Sequence, residues 1–345
     1  MPEPLFAPDM TDPSPPLSIL DLAIIGRDQT PGDALRNSVT LAQQAEARGY
    51  RRVWYAEHHN MATIASSATS VLIAHVAAHT STIRLGSGGV MLPNHSPLTI
   101  AEQFGTLASL HPGRIDLGLG RAPGTDQTTL RALRRDPMSA ESFPQDVLEL
   151  QGYLAGRSRI PGVQAVPGSG TNVPLYILGS SLFGAKLAAV LGLPYAFASH
   201  FAPAALEQAV ALYRSEFEPS EQLDRPYVIA GVNVIASDSD DDAQAQHLKV
   251  RRSRVSLLLG RDRGAFTDEE ADAILASPQG RHLAEMMRHS AVGTPDDVAE
   301  QLRAFARLAD ADELIVVHAS PSIDARLRSV DLLADAWALA PATAP

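Results

Sequence analysis

The chain has 345 residues, 45% of them hydrophobic, which is enough to bury a large core as two ordinary domains or one α/β barrel. Its 28 lysines and arginines against 39 aspartates and glutamates give a net charge of -11, which argues against nucleic acid and anionic membranes as partners. Because the sequence contains no cysteine, disulfides, thiolate metal sites and a cysteine nucleophile are excluded. Small molecules are therefore the expected ligands, and we expect a cytoplasmic protein.

The first 16 residues are rich in proline and aspartate and lack a basic region followed by an apolar run. They predict a flexible tail and not a signal peptide. No run of about 18 apolar residues occurs in the chain, so the sequence predicts no membrane span. Residues 17–345 are predicted to form one domain.

From Leu17 onward, short β-rich runs alternate with longer segments of helical period, a pattern typical of βα units around a parallel sheet. The predicted strands are Leu17–Ile25, Arg52–Glu57, Ile83–Val90, Arg114–Gly120, Val173–Gly179, Tyr195–His200, Tyr227–Ala236 and Glu313–His318. The predicted helices are Pro31–Arg48, Ser66–His79, Pro97–Leu110, Pro137–Leu154, Leu182–Leu191, Pro203–Phe217, Ser239–Leu259 and Pro321–Leu339. Eight strands with eight helices favour a closed (βα)8 TIM barrel over an open sheet, which usually has about five to seven strands.

Two segments are longer than an ordinary connection in such a barrel, at 121–136 and 260–294. The second leads into Thr294-Pro295, where Thr294 suits an N-cap and Pro295 suits the first residue of an extra helix that runs to about Leu308. Long excursions from a compact barrel are usually lids or dimer contacts. We therefore predict an insertion or lid at 260–294, after the seventh helix.

Polar side chains at the C-terminal ends of the strands are the candidates for function, because barrel enzymes assemble their chemistry there. Titratable and amide side chains follow four of the predicted strands, at Glu57-His58-His59, Asn94-His95, His200 and His318. Lone histidines such as His200 and His318 are more often satisfied rim residues than catalysts. The run at Glu57 is a stronger candidate, because three titratable groups close an apolar strand where side chains enter the site.

The turn Gly179-Ser180-Ser181 closes strand five and opens the next helix, so its backbone N–H groups and hydroxyls can cradle a phosphate. The same residues also fit an ordinary N-cap. Arg121, at the end of the neighbouring strand four, can direct a guanidinium to the same phosphate. Glycines in the run Gly86-Ser87-Gly88-Gly89 cost stability inside strand three, so either a flat ligand approaches this backbone or the strand contains a bulge.

Four blocks of the sequence together resemble the bacterial-luciferase-like monooxygenases, which are flavin-dependent enzymes on a (βα)8 barrel. The blocks are residues 53–59, 85–93, 113–121 and 175–181, and the resemblance runs from about Leu17 to Leu339. The chain departs from luciferase itself at Gly120, where the luciferase α subunit has a reactive cysteine. Its segment 260–290 also shows no match to the mobile lid of luciferase. Light emission and a long-chain aldehyde substrate are therefore not implied.

The resemblance implies a role for each matching residue. His58 is the catalytic residue, which faces the flavin ring and supports oxygen chemistry. Gly88 and Gly89 are joined by a cis peptide in this family and lie against the isoalloxazine. Arg121, Ser180 and Ser181 hold the FMN phosphate. The remaining residues expected to line the same cofactor site are Glu57, Asn94 and Gly179.

The activity implied by the resemblance is an FMN-dependent monooxygenase, in which reduced FMN and O2 oxygenate a small organic substrate. No nicotinamide site is visible, so a separate flavin reductase is expected to supply the reduced FMN. His58 would hydrogen-bond or protonate near the reacting oxygen, a task that suits a group titrating near neutral pH. The superfamily usually pairs its barrels through outer helices, so we expect a homodimer that forms near Ser66–His79 and Pro97–Leu110.

Three alternatives remain open on the sequence. A second branch of the superfamily uses the deazaflavin F420, although the paired histidines favour FMN. A metal-dependent hydrolase can gather histidines on this rim, but adjacent His58 and His59 on a strand would point to opposite faces, so we predict no metal site. A non-catalytic flavin-binding protein would keep Arg121 and Ser181 but turn nothing over.

Overall fold

The computed structural model describes residues 14–26, 28–122, 125–259 and 266–341. Its strands are β1 (Leu17–Asp21), β2 (Arg52–Tyr55), β3 (Arg84–Met91), β4 (Ile115–Gly120), β5 (Leu175–Gly179), β6 (Tyr195–Phe197), β7 (Val228–Ala236), β8 (Ser290–Gly293) and β9 (Glu313–His318). Its first helices are α1 (Pro31–Ala47), α2 (Thr69–Ala77), α3 (Pro97–Leu110), α4 (Gln127–Ala132), α5 (Phe143–Leu154) and α6 (Leu182–Leu191). The later helices are α7 (Leu206–Ser215), α8 (Asp240–Leu259), α9 (Asp268–Leu275), α10 (Pro278–Met286), α11 (Pro295–Leu308) and α12 (Ile323–Trp337). Short 3₁₀ helices lie at Leu92–Asn94, Pro137–Glu141 and Pro203–Ala205.

Strands β1 to β7 and β9 form a closed parallel barrel. Each strand from β1 to β7 pairs with its successor in the chain, β7 pairs with β9, and β9 returns to β1. The short strand β8 pairs with the last residues of β7, from Asn233↔Ser290 to Ala236↔Gly293, outside the ring. The predicted (βα)8 barrel is confirmed, and β8 is an additional strand that the sequence pattern did not predict.

Side chains alternate along the barrel strands and build two apolar layers. One layer faces the helices and contains Ile19, Val53, Leu85, Leu117 and Ile177. The other fills the barrel interior with Leu20, Trp54, Tyr176, Ile229 and Ile315. The barrel interior is therefore a packed core and not a pore.

A buried polar cluster closes the N-terminal end of the barrel. Arg52 at the start of β2 pairs with Asp116 of β4 (Nη1–Oδ2 2.8 Å) and with Glu313 of β9 (Nε–Oε1 2.9 Å). Tyr227 donates its hydroxyl to Glu313 at 2.7 Å. Burial opposes ionisation of Asp116, but Arg84 and Arg52 outweigh it and keep the pKa of Asp116 below its ordinary value. Each charge in this cluster has a partner, so removal of one member would leave another buried charge without its partner.

The helix that completes the outer ring between β7 and β9 is α11. It places Leu302 in the core between barrel and helices, whereas α8 and α10 place Val255 and Leu283 in a separate small cluster. Helix α8 contacts β7 and β8 on one side and α9 and α10 on the other, so it connects the barrel to the segment that follows it. The predicted insertion at 260–294 includes α9, α10 and β8 within the described residues.

Several predicted strands end earlier in the structure. Strand β1 ends at Asp21 and not at Ile25, β2 ends at Tyr55 and not at Glu57, and β6 ends at Phe197, before His200. The polar residues that follow β2 and β6 therefore lie in loops, where the alternation of a strand does not determine side-chain direction.

Residues 14–16, predicted as part of a flexible tail, are bound to the barrel. The carbonyl of Pro16 accepts from Leu314 N (3.1 Å), and that of Pro15 accepts from Trp337 Nε1 (3.0 Å). The rest of the predicted tail, residues 1–13, lies outside the described residues. Within the part of the chain that the structure describes, no helix combines the length and the apolar character needed to cross a membrane.

Candidate active site

Glu57 anchors the loops at the C-terminal end of the barrel. Its buried carboxylate lies 2.8 Å from His59 Nε2 and 2.9 Å from His95 Nε2, and it accepts from Asn94 Nδ2 (3.3 Å) and Met91 N (3.1 Å). Burial would raise the pKa of Glu57, but the hydrogen bonds from His59 and His95 outweigh it and lower this pKa to about 2. Glu57 is therefore an ionised group that ties the loop after β2 to the loop after β3. Its predicted contact with a cofactor, and that of Asn94, stay predictions.

His59 does not follow the expectation for a strand residue. It was expected to leave a strand on the face opposite His58, but it lies in the loop after β2 and its Nε2 binds Glu57. The hydrogen bond with Glu57 raises the pKa of His59. A replacement of His59 therefore acts through Glu57, which it helps to hold.

His58 has the opposite environment. Its backbone N–H donates to the Ser66 carbonyl (3.0 Å), and its buried Nδ1 has no hydrogen-bond partner among the described residues. Burial lowers the pKa of His58, Glu57 opposes this shift, and Arg254 adds to it. The imidazole is therefore neutral at pH 7, and its Nδ1 has no hydrogen-bond partner among the residues that the structure describes.

A cis peptide joins Gly88 and Gly89 in β3, as the resemblance implied. The register between β3 and β4 shifts at this point, so the bulge that was one interpretation of these glycines is present. A Cβ at Gly88 would lie 2.7 Å from Leu20 Cδ1, and one at Gly89 would lie 2.8 Å from the Gly118 carbonyl oxygen. Close packing inside the barrel therefore explains both glycines without a ligand.

Arg121 follows β4 and reaches the start of α6. Its guanidinium carbon lies 4.2 Å from the ring centroid of Phe183, in the first turn of that helix. Ser181 is the N-cap of α6, yet its side chain makes no capping hydrogen bond. A guanidinium beside an open helix N-terminus is an arrangement that binds anions. Arg121 therefore lies beside the first turn of α6, and the predicted contact of Arg121, Gly179, Ser180 and Ser181 with a phosphate stays a prediction.

Two further groups, His200 and Arg254 of α8, belong to this end of the barrel. We call this end the barrel mouth; it comprises the loops that follow β2 to β6 together with Arg254. His200 follows β6, and its buried Nδ1 has no hydrogen-bond partner among the described residues. Burial lowers the pKa of His200 to about 3, and the charge of Arg254 adds to this effect. From the sequence, His200 was expected to be a rim residue. Arg254 was not predicted at the site, because the run Arg251-Arg252-Ser253-Arg254 is typical of a solvated helix face.

His318 lies on the helix side of the barrel wall. Its Nδ1 is 2.9 Å from Ser329 Oγ and its Nε2 is 3.4 Å from the Tyr50 hydroxyl. Burial lowers the pKa of His318 to about 3, so it is a neutral core side chain. Among the described residues, no group of three or more His, Cys, Asp or Glu side chains is arranged to hold a metal ion.

Comparisons with known proteins identify the family. The sequence profile described as luciferase-like monooxygenase matches residues 17–312. A protein of Escherichia coli (strain K12) named luciferase-like monooxygenase is 49% identical over 330 residues, which cover 94% of this chain and 98% of that protein. N-acetyl-S-alkylcysteine monooxygenase of Bacillus subtilis (strain 168) is 34% identical over 336 residues, which cover 93% and 97%. The crystal structure of apo-MsnO8 matches with a TM-score of 0.87 at 37% identity, over 95% of this chain and 100% of that chain.

Two solved structures with 15% identity share the fold alone. One is the oxygenating constituent of 3,6-diketocamphane monooxygenase from the CAM plasmid of Pseudomonas putida in complex with FMN, with a TM-score of 0.71 over 94% and 98% of the two chains. The other is an F420-dependent secondary alcohol dehydrogenase, with a TM-score of 0.68 over 94% and 98%. The profile match and the identity to the nearer relatives extend over most of the sequence. This chain therefore belongs to the luciferase-like monooxygenase family.

Proposed function

We propose that this enzyme binds reduced FMN at the barrel mouth and uses molecular oxygen to oxygenate a small organic substrate. The observation that carries the proposal is the position of Arg121 beside the start of α6, where Ser181 leaves the helix cap open. A phosphate placed there would receive both the forked guanidinium and the helix N–H groups. No residue of the chain supplies a competing carboxylate to Arg121 within the described part of the structure.

The residues of β3 and the barrel interior fit the ring of the same cofactor. Gly88 and Gly89 would present only backbone to it, with the buried Leu20 and Trp54 packed against Gly88. When bound, reduced FMN supplies the two electrons that activate oxygen. The barrel holds the ring in place and excludes water, which protects those electrons from wasteful release.

His58 would hold or move a proton at the reacting oxygen. Its Nδ1 has no partner among the described residues, and burial keeps the imidazole neutral at pH 7. A neutral imidazole can accept a proton and return it, which is the usual work of histidine in catalysis. Glu57, through its bonds to His59 and His95, would fix the loop that carries His58.

We favour FMN over F420 because two histidines follow β2, and imidazoles suit the proton transfers of oxygen chemistry. A separate flavin reductase would supply the reduced FMN. The proposal also includes a homodimer that forms through α2 and α3, where Val71 and Leu110 are 68% and 66% exposed and would be covered by a second copy.

Equilibrium titrations with FMN, riboflavin and F420, each oxidised and reduced, test the choice of cofactor. We expect FMN to bind more tightly than riboflavin, because only FMN carries the phosphate. Tighter binding of F420 than of FMN would place the protein in the F420 branch. An absence of binding by both cofactors would contradict the proposal.

Oxygen labelling tests the reaction. An N-acetyl-S-alkylcysteine is the first substrate to try, because one relative is named for that activity. Its thioether would gain one oxygen atom from O2, the second atom would leave as water, and reduced FMN would supply the two electrons. We expect the label of O2 in the sulfoxide. A label derived from water would contradict a monooxygenase reaction.

A further inference from the structure

The barrel mouth holds a positive charge that no described residue neutralises. Arg254 on α8 is half-buried and forms no hydrogen bond or ion pair with any residue in the described ranges. Burial lowers the pKa of Arg254, so its surroundings disfavour the charge. Since removing an unpaired guanidinium from water costs free energy, its presence at an open site indicates an anionic partner.

The packing of α8 directs Arg254 to the mouth. Val250 lies one turn earlier on the same face of the helix and lines a narrow gap together with Asn233 of β7. Asn233 Nδ2 in turn donates to the carbonyl of His200 (2.7 Å). The charge of Arg254 also acts on both His58 and His200, whose pKa values it lowers. Arg254 is thus close to the two imidazoles of the site.

Arg252, two residues earlier, shows how the same side chain behaves when the protein supplies the anion. It faces α9, where Asp268 lies 2.6 Å from its Nη1 and Asp272 lies 2.8 Å from its Nε. Arg254 points elsewhere, because two residues rotate a helix by about 200°. Two arginines of the same helix therefore differ: Arg252 pairs with carboxylates of α9, whereas Arg254, on the side of the barrel mouth, has no anionic partner among the described residues.

The charges around Arg254 indicate which anion fits. His58 and His200 are neutral at pH 7, because burial lowers their pKa values. Glu57 is occupied by His59 and by a second histidine from the next loop. Besides Arg121, which is assigned to the flavin phosphate, Arg254 is therefore a second guanidinium at this end of the barrel without an anionic partner among the described residues. Its planar fork matches a carboxylate, which carries one negative charge and two coplanar oxygens.

We propose that Arg254 binds a carboxylate of the organic substrate, so that this enzyme selects carboxylic acids. The inference rests on the proposed function, because it places the acid in the same mouth as the flavin. Arg254 would act as a specificity-determining residue. His58 would keep its separate task at the reacting oxygen.

Binding of hexanoate and of its neutral counterpart hexanamide, measured calorimetrically at constant ionic strength, tests the inference without turnover. Wild-type protein, flavin-free and FMN-loaded, should bind hexanoate about tenfold to a hundredfold more tightly than hexanamide, the range of a charge-assisted hydrogen bond. Arg254→Gln should remove this preference. Lys249→Gln, an equal charge change at an exposed position of the same helix, should retain it.

Arg254→Lys is the second variant, because it keeps the charge if Arg254→Gln does not fold. It should bind hexanoate more weakly than wild type does, since lysine lacks the fork. Equal affinity of wild type for the two probes, no binding of hexanoate, or an unchanged preference in both Arg254 variants would overturn the inference.

Parallel titrations separate a substrate carboxylate from the flavin phosphate. Arg254→Gln should change the ratio of FMN to riboflavin affinity by less than about threefold. A larger loss would assign Arg254 to the phosphate and overturn the inference. If wild type bound hexanoate but neither FMN nor F420, the proposed function would fail while the carboxylate site remained. If it bound FMN but showed no preference for hexanoate, only the carboxylate site would fail.

Discussion

The two ends of the barrel hold similar polar groups in opposite states. At the N-terminal end, Arg52, Asp116 and Glu313 are fully buried, and each is bound by another member of the cluster. At the C-terminal end, His58 keeps a buried Nδ1 without a partner, and Arg254 has no anion, among the residues that the structure describes. Burial of polar groups therefore does not mark a functional site by itself. Two imidazoles at one end of the barrel, His58 and His200, each with a buried Nδ1 that has no partner among the described residues, are a stronger indication, because native cores satisfy most of their hydrogen-bonding capacity.

The largest expected effect is at the C-terminal end. His58→Ala should lower the yield of oxygenated product per flavin oxidised by about 100- to 10,000-fold, the usual contribution of a positioned acid or base. The free energy of unfolding and the FMN affinity should change little, because His58 Nδ1 makes no hydrogen bond to any residue that the structure describes. Product and hydrogen peroxide, each measured per O2 consumed, report the change. A loss below about threefold would leave His58 without a catalytic role.

The N-terminal end should respond in stability instead. Arg52→Met should lower the free energy of unfolding by about 3–5 kcal/mol, because Asp116 and Glu313 would stay buried without their guanidinium. Urea unfolding at neutral pH measures the loss. Arg157→Met is the control, since Arg157 and Glu221 are 65% and 80% exposed, and its loss should be much smaller than that of Arg52→Met because water screens the pair. Equal losses of unfolding free energy in Arg52→Met and Arg157→Met would refute the distinction between buried and exposed ion pairs.

Glu57 extends the comparison of the two barrel ends, because its carboxylate lies at the C-terminal end yet is fully hydrogen-bonded, like the charges at the N-terminal end. Its pKa of about 2 lies below the ordinary value of 4.5, so the ionised group stabilises the fold above that value and loses this effect as pH falls. Glu57→Gln should cost on the order of 3 kcal/mol at neutral pH. The difference from wild type should shrink between about pH 5 and pH 2. A difference that does not vary with pH, in urea unfolding, would contradict this role.

The smallest of these effects concerns the cofactor phosphate. Arg121→Ala should weaken FMN binding by about 1.5–3 kcal/mol, the scale of a charge-assisted hydrogen bond, and leave riboflavin binding nearly unchanged. Fluorescence titration of both ligands measures the contrast. Equal weakening of the two would show that Arg121 supports the fold or the ring.

The barrel and part of the site could be predicted from the sequence because their signals are local. Alternating β-rich and helical runs predict the (βα)8 fold, and the cis peptide at Gly88 and Gly89 followed from the resemblance. Charged residues that open buried strands, such as Arg52 and Glu313, were a further local signal, although the sequence analysis did not use it. Each of these features depends on a short stretch of chain.

The arrangement of the loops could not be predicted in the same way. Glu57 was predicted as the last residue of β2 and lies two residues beyond its end, and its bonds to His59 and His95 depend on how two loops fold against each other. Arg254 lies in a helix whose packing partner is an insertion without a readable pattern. Its position at the mouth follows from the contact of α8 with β7, which joins residues that only the tertiary structure brings together.

The polar cluster at the N-terminal end of the barrel also affects when the barrel can close during synthesis of the chain. Arg52 Nη2 donates to Glu313 Oε2 across 261 positions of the chain, so Glu313 leaves the ribosome long after Arg52. Until Glu313 emerges, the guanidinium has only part of its partners and cannot be enclosed without a large cost. Many proteins fold their N-terminal parts while the rest is still being made. In this chain, by contrast, we expect the barrel to stay unclosed and the guanidinium of Arg52 to stay solvated until β9, which carries Glu313, has been translated.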